Sequence, residues 1–281
     1  MDFEENPRGE CEIAMAGYLA TLKKEMQMHF NVIKDDYLRS KDPHYFKPSG
    51  TQVYVGRQGS GKTISAVRHV NLLKDSYPRL LLVSNLILTG YRRITVKTPE
   101  QICQAIAHPD FDSTKHYIYF QDFEQLSIAL TSVDNGTFGV VYLIDEIHTY
   151  LNALDSKNIP MYVFTEISQQ RKQRKLIVAT SQLFDRIAKP LREQCDNMVV
   201  CKTYFSTLTV QKAYDAMTLD KDYDGSYMGK VQRRGWFFQS RKIRESYDTF
   251  QKVVSGRDQY EMQNMSELNV NVNGKKSSFK R

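Results

Sequence analysis

The residues best equipped for chemistry run consecutively, Gly56-Arg57-Gln58-Gly59-Ser60-Gly61-Lys62-Thr63. They match the spacing G-x-x-x-x-G-K-[ST], whose purpose is to hold a polyphosphate. The glycines let backbone N–H groups converge on phosphate oxygens where side chains would intrude. Lys62 is expected to reach the β- and γ-phosphates, and Thr63 to ligate magnesium. With Ile64, these residues form the expected nucleotide-contacting stretch. Apolar Val53-Tyr54-Val55 precede the loop and helix-forming residues follow from Lys62. The loop is therefore expected at a strand-to-helix junction, where the positive helix end adds to the attraction for an anion.

A second group lies downstream. The apolar run Val140 to Ile144 ends in Asp145-Glu146. Asp145 at a strand end can hold a magnesium ion and its water shell, and Glu146 can orient and polarise an attacking water. The alternative is an acidic strand end facing solvent. His148 follows closely, placed to interact with Glu146 or to read the γ-phosphate. A further strand, Ile177-Val178-Ala179-Thr180-Ser181, ends in Gln182. Beside the Asp145 strand, Gln182 could bond to the γ-phosphate or to the water; the alternative is an ordinary polar strand cap. No Asn-Lys-x-Asp tetrapeptide reads guanine, so ATP with Mg2+ is the expected ligand pair.

Basic residues surround this last strand: Arg171, Lys172, Arg174 and Lys175 before it, Arg186, Lys189 and Arg192 after it. Three roles compete for them. They could contact a DNA backbone, present an arginine (Arg171, Arg174 or Arg192) to ATP in the next subunit, or form a solvated face. A net charge of +7 favours a polyanionic partner. No helix-turn-helix, zinc finger or RNA-binding aromatic motif points to sequence reading. The four cysteines, Cys11, Cys103, Cys195 and Cys201, form no C-x-x-C pair. They read as small buried hydrophobes in a reducing, intracellular compartment. No run of eighteen apolar residues occurs, so no membrane span is expected.

The elements that must position these groups follow from the apolar pattern. Strands are expected at 52–55, 80–86, 117–120, 140–144, 176–180 and 198–201, several of them continuous apolar runs as in a sheet covered on both faces. Helices are expected at 64–73, 162–173 and 183–193, with Pro190 weakening the last turn. The result is an α/β fold, a three-layer P-loop NTPase of RecA/ASCE-like type with a mostly parallel central sheet. Residues 1–48 form a helical leader, with Met15, Leu19, Leu22, Met26 and Phe30 at helical spacing. The core occupies 49–202. Residues 203–268 make a small C-terminal appendage, with strands at 205–210 and 236–238 forming a hairpin. Residues 269–281 read as a flexible basic tail.

Taken together, these motifs resemble the Zot-like proteins, including filamentous-phage assembly ATPases, within the FtsK/HerA class of DNA-pumping ATPases. The resemblance rests on Gly56 to Thr63, Val83-Ser84-Asn85-Leu86, Leu143 to His148, Arg171-Lys172, Ala179 to Gln182 and the segment 187–192. It implies a ring-forming, hexameric motor that moves or extrudes DNA, with ATP near the boundary between subunits. It also implies coat, portal or membrane assembly proteins as partners, and work in the cytoplasm, of a host if viral, or peripherally at an assembly site. Zot-like phage proteins commonly carry a membrane span after the ATPase region, which this sequence does not show. A nucleotide-regulated assembly scaffold and a small-molecule kinase are the competing readings; Glu146 and Gln182 fit water attack better than the kinase.

Overall fold

Continuous apolar runs in the sequence become strands buried on both faces. The computed structural model describes residues 7–42, 44–95, 97–223 and 227–248. The chain divides into two compact units, Met1–Tyr45 and Phe46–Arg281. The first contains one helix, α1 (Pro7–Lys41), longer than the leader's apolar spacing alone indicates and about 52 Å from end to end. The tail 269–281 and the end of the appendage lie outside the described residues.

The second unit runs β1 (Gly50–Val55), α2 (Lys62–Ser76), β2 (Leu81–Ser84), β3 (Arg92–Thr95), α3 (Pro99–Ala107), β4 (His116–Tyr119), α4 (Phe123–Ser132) and β5 (Val140–Ile144). It continues through α5 (Met161–Ser168), α6 (Gln170–Gln173), β6 (Lys175–Ser181), α7 (Lys189–Arg192), β7 (Asn197–Tyr204) and β8 (Leu208–Asp215). It closes with β9 (Asp220–Lys221), β10 (Tyr227–Met228), β11 (Val231–Phe238) and α8 (Arg241–Arg244). Nine strands form one sheet in the order β11-β8-β7-β1-β6-β5-β2-β4-β3. The seven from β7 to β3 are parallel; β8 and β11 are added antiparallel beyond β7. Residues of α2 (Ala66, Val67, Val70) pack on one face. Residues of α4 and α5 (Leu126, Leu130, Val163, Phe164, Ile167) pack on the other. Every residue of β2, β5 and β6 is buried between these layers, the arrangement that parallel strands require.

Several expectations need correction. Residues 183–193 are not one helix: a single 3-10 turn at Phe184–Arg186 and the short α7 flank an extended Ala188 at φ −51, ψ 134. Pro190 falls in the first turn of α7, so the proline starts a helix instead of ending one. Residues 162–173 break into α5 and α6 at Gln169, at φ −92, ψ 4. Cys195 and Cys201 are buried as expected, but Cys103 is exposed. At the far end, the hairpin turns at Phe205 and Ser206, both left-handed, so 205–207 is turn and the strand begins at Leu208. Strand β7 runs through residue 202, and β8 and β11 therefore continue the core sheet.

A polar link joins β1 to α2: the Tyr54 hydroxyl lies 2.7 Å from His69 Nδ1. Burial, with Arg233 and Arg68 nearby, lowers the His69 pKa to about 4. The unfolded chain, near the ordinary 6.5, then binds more protons between these values, so stability is present at neutral pH and lost as pH falls. The loss expected from this group is about 2 kcal/mol at pH 5. Urea unfolding of the wild type and of His69→Gln at pH 7.5 and 5 checks it. The variant should lose much less stability between the two pH values than the wild type; an equal loss in both would assign the acid sensitivity to another group.

Candidate nucleotide site

The loop after β1 folds as its glycines dictate. Gly61 sits at φ 84 and caps α2 from a left-handed conformation, which side-chain-bearing residues adopt only at a penalty. A Cβ there would lie 2.6 Å from Thr203 Oγ1 and 2.9 Å from Thr209 Oγ1, so the hairpin strands press directly on the loop. Helix α2 follows for fifteen residues, offering its first N–H groups to an anion. The Ser60 Oγ is buried without a hydrogen-bond partner.

The acidic pair stands opposite, at the end of β5. Thr63 Oγ1 donates to Asp145 Oδ1 at 2.9 Å, and Thr180 Oγ1 donates to the same oxygen at 2.7 Å. Thr180 also accepts from Glu146 N at 2.9 Å. Asn85, buried at the end of β2, grips the Asp145 backbone from both sides: its Nδ2 donates to Asp145 O at 2.9 Å, and its Oδ1 accepts from Asp145 N at 2.8 Å. Burial raises the Asp145 pKa against the lowering effect of the two threonine hydroxyls. Glu146 adopts φ 48, ψ 52. That turn aims its Oε1 to 3.7 Å from Lys62 Nζ and its Oε2 to 3.3 Å from His148 Nδ1. Oε2 is buried and makes no hydrogen bond. His148 Nδ1 is also 3.3 Å from Ser181 Oγ, and burial followed by Arg186 and Lys62 lowers its pKa.

These groups surround a cavity of about 810 Å3. Gln58, Gly59, Gly61, Lys62, Thr63 and Ile64 form its floor; Asp145, Glu146, His148 and Gln182 form the acidic side. Strand β6 lies between β1 and β5, which brings Gln182 to the cavity, where its Oε1 accepts from Arg186 at 3.4 Å. The three arginines do not join them. Arg171 is exposed on α6. Arg174, at φ 50, directly precedes β6, a strand length of roughly 20 Å from the cavity end. Arg192 pairs with Asp185 at 3.0 Å and lines a separate cavity of about 440 Å3.

Sequence reasoning missed part of the cavity wall. Gln239, Arg244 and Tyr247 line it, brought there by the chain after β11. Gln239 Nε2 donates to Thr209 Oγ1 at 2.8 Å, and Arg244 donates to Ser206 O. Tyr247 then bridges antiparallel to Leu88, with Thr89 N donating to Ser246 O at 2.9 Å. Thr180 was legible only as part of a polar strand end, and Asn85 only as part of the motif after the second strand.

Strand order, loop and acid pair define a P-loop NTPase fold, with one strand interposed between the loop strand and the acid strand. No protein-family model matches the chain, and no curated protein does. Among solved structures it is similar to the N-terminal domain of zonular occludens toxin from Neisseria meningitidis, at 11% identity and TM-score 0.45 over 71% of this chain and 99% of that one. It is also similar to the genome packaging NTPase B204 from Sulfolobus turreted icosahedral virus 2, at 12% identity and TM-score 0.45 over 68% and 98%. A third likeness is to the flagellar accessory protein FlaH from Methanocaldococcus jannaschii, at 14% identity and TM-score 0.39 over 71% and 88%.

Proposed function

We propose that this chain binds ATP with magnesium, hydrolyses it, and works as a homo-oligomeric ring, hexameric by analogy, that translocates DNA in virus genome packaging or virion assembly in the cytoplasm. The observation that supports hydrolysis is the convergence of Lys62, Thr63, Asp145 and Glu146 on one cavity. A hydroxyl and a carboxylate 2.9 Å apart are hard oxygen ligands suited to magnesium. Thr63 and Asp145 would hold that ion, which would supply positive charge against the phosphates. Lys62 would turn from Glu146 to the phosphates. Glu146 would take a proton from the attacking water as its oxygen bonds to the γ-phosphorus and the bond to the β-phosphate oxygen breaks, leaving ADP and phosphate. Gln182 would hold that water or a γ-oxygen. Arg171, Arg174 or Arg192 would act on the cavity of a neighbouring copy.

The DNA part of the reading is supported by the net charge of +7 and by the motif resemblance. Its test is ATP turnover by the purified chain without DNA, with single-stranded DNA and with duplex, while oligomeric mass is recorded. Several-fold stimulation by DNA in an oligomer is expected. Flat turnover from an assembled, ATP-binding chain would replace the motor with a partner-activated assembly ATPase. Among the described residues no helix is long and apolar enough to cross a membrane, so coat, portal or membrane proteins would be met through surfaces.

A further inference from the structure

The three strands β7, β8 and β11 have one face buried; the other is closed at the Met198 row, where Met198 joins the core, and open beyond it, toward Tyr204. On the buried face Cys201, Thr209, Ala213 and Phe237 turn toward α2 and the phosphate loop. Alternation sends their neighbours to the other side. The register there sets Tyr204, Leu208 and Phe238 in one row, Lys202, Val210 and Trp236 in the next, and Val200, Lys212 and Arg234 in a third. Rows lie about 6.7 Å apart, two residues of strand rise. Trp236 is 66% exposed and Phe238 63%, and Lys202, Lys212 and Arg234 are exposed as well. Solvent-exposed aromatics of this size, side by side on a sheet, are not explained by packing among the described residues.

The chemistry of the face selects its occupant. Three aromatic rings, three cations and no carboxylate share these rows; Asp215, the one acid in the three strands, pairs with Asn197 in the alternate, inward row. Lys202 Nζ lies 5.0 Å from the Tyr204 ring centroid, and Trp236 and Phe238 meet edge to face at 5.7 Å. Aromatic faces bind the π-faces of unstacked bases, and interleaved cations follow a phosphate backbone. A duplex hides its base faces in its own stack, so the ligand is a single strand. We propose that this open face is a platform for single-stranded nucleic acid, with bases on Trp236, Phe238 and Tyr204 and phosphates on Lys202, Lys212 and Arg234. The proposal rests on the DNA reading above and adds the strand form and the surface.

Trp236 is the only tryptophan in the chain, so its emission reports this face directly. The full chain is titrated with an oligothymidylate of about twenty nucleotides, long enough for several sites, and with a duplex of equal length. The single strand should quench Trp236 at saturation and bind more tightly than the duplex. Trp236→Ala with Phe238→Ala, tested by anisotropy of labelled oligonucleotide, should weaken that binding about tenfold to a hundredfold, with ATP binding retained as a check on folding. Replacing Lys202, Lys212 and Arg234 by Ala should flatten the dependence of affinity on salt. Binding of DNA without change in Trp236 emission would overturn the platform while leaving the DNA reading intact. Variants that lower oligomeric mass but keep affinity per chain would make the face a subunit interface instead. Failure of both single strand and duplex to bind would remove the platform and the DNA reading together.

Discussion

Glu146→Gln should leave ATP bound within a few-fold of the wild-type affinity and slow its turnover about a hundredfold to a thousandfold. The substitution keeps size and leaves Thr63, Asp145 and Lys62 in place, so binding groups are intact; what it removes is the carboxylate that accepts the proton of water. The position supports a directed role. A non-glycine residue at φ 48 stores about 1 kcal/mol or more of backbone strain, and the turn serves to swing this carboxylate over the cavity. There its Oε2 is buried without a hydrogen bond, an arrangement that stability alone would not favour. Steady-state turnover and nucleotide affinity, measured on the same preparation, separate the two effects. Turnover at the wild-type rate would remove Glu146 from the chemistry.

For stability, the largest effect is expected at Gly139, where β5 begins. It adopts φ 71, and a Cβ added there would lie 2.6 Å from Phe46 Cβ and closer still to its ring. Phe46 is 1% exposed and packs edge-on against Tyr77 with ring centroids 5.1 Å apart. It cannot retreat: its N–H donates to Thr137 O at 2.9 Å, and the Gly139 carbonyl accepts from Leu81 N at 3.2 Å and from Asn135 Nδ2 at 2.9 Å. Gly139→Ala should therefore expel the Phe46 ring and cost about 3–5 kcal/mol, lowering Tm by roughly 10 °C in a chain of this size. In the double variant Phe46→Ala, Gly139→Ala the ring clash is absent and only the 2.6 Å approach of the two Cβ atoms remains, so its loss should fall short of the sum of the two singles. A single variant that melts with the wild type would show that the loop before β5 adapts freely.

What could be read from the sequence was what is contiguous. Gly56 to Thr63 and Asp145-Glu146 declare themselves because one loop and one strand end supply each group, and the strands carrying them are unbroken apolar runs. Strand β3 escaped because Arg92-Arg93-Ile94-Thr95 is an exposed edge, with no core face to impose a pattern. The break at Ala188 was hidden for the opposite reason: Phe184, Ile187 and Leu191 have helical spacing, and each is buried without a continuous helix. Proximity along the chain does not fix what the arginines face: Arg171 and Arg174 precede β6 at the end away from this chain's own cavity. Gln239, Arg244 and Tyr247 carry no local sign at all. Their place depends on β11 returning beside β8 and on Tyr247 pairing with Leu88, the second a contact across 159 residues of chain.

That last contact also bears on biosynthesis. A ribosome releases the phosphate loop before the acid pair, and the wall formed by Gln239, Arg244 and Tyr247 emerges more than ninety residues after Glu146. A nascent chain that has folded β1 to β7 therefore has the groups proposed to grip phosphate in an open trough. The trough becomes a cavity when the segment after β11 lies down across Leu88. Long-range closure of this kind is slow relative to local folding, and a partly made chain would hold nucleotide only loosely. The wall of the cavity thus closes only after the sheet that supports it is already built.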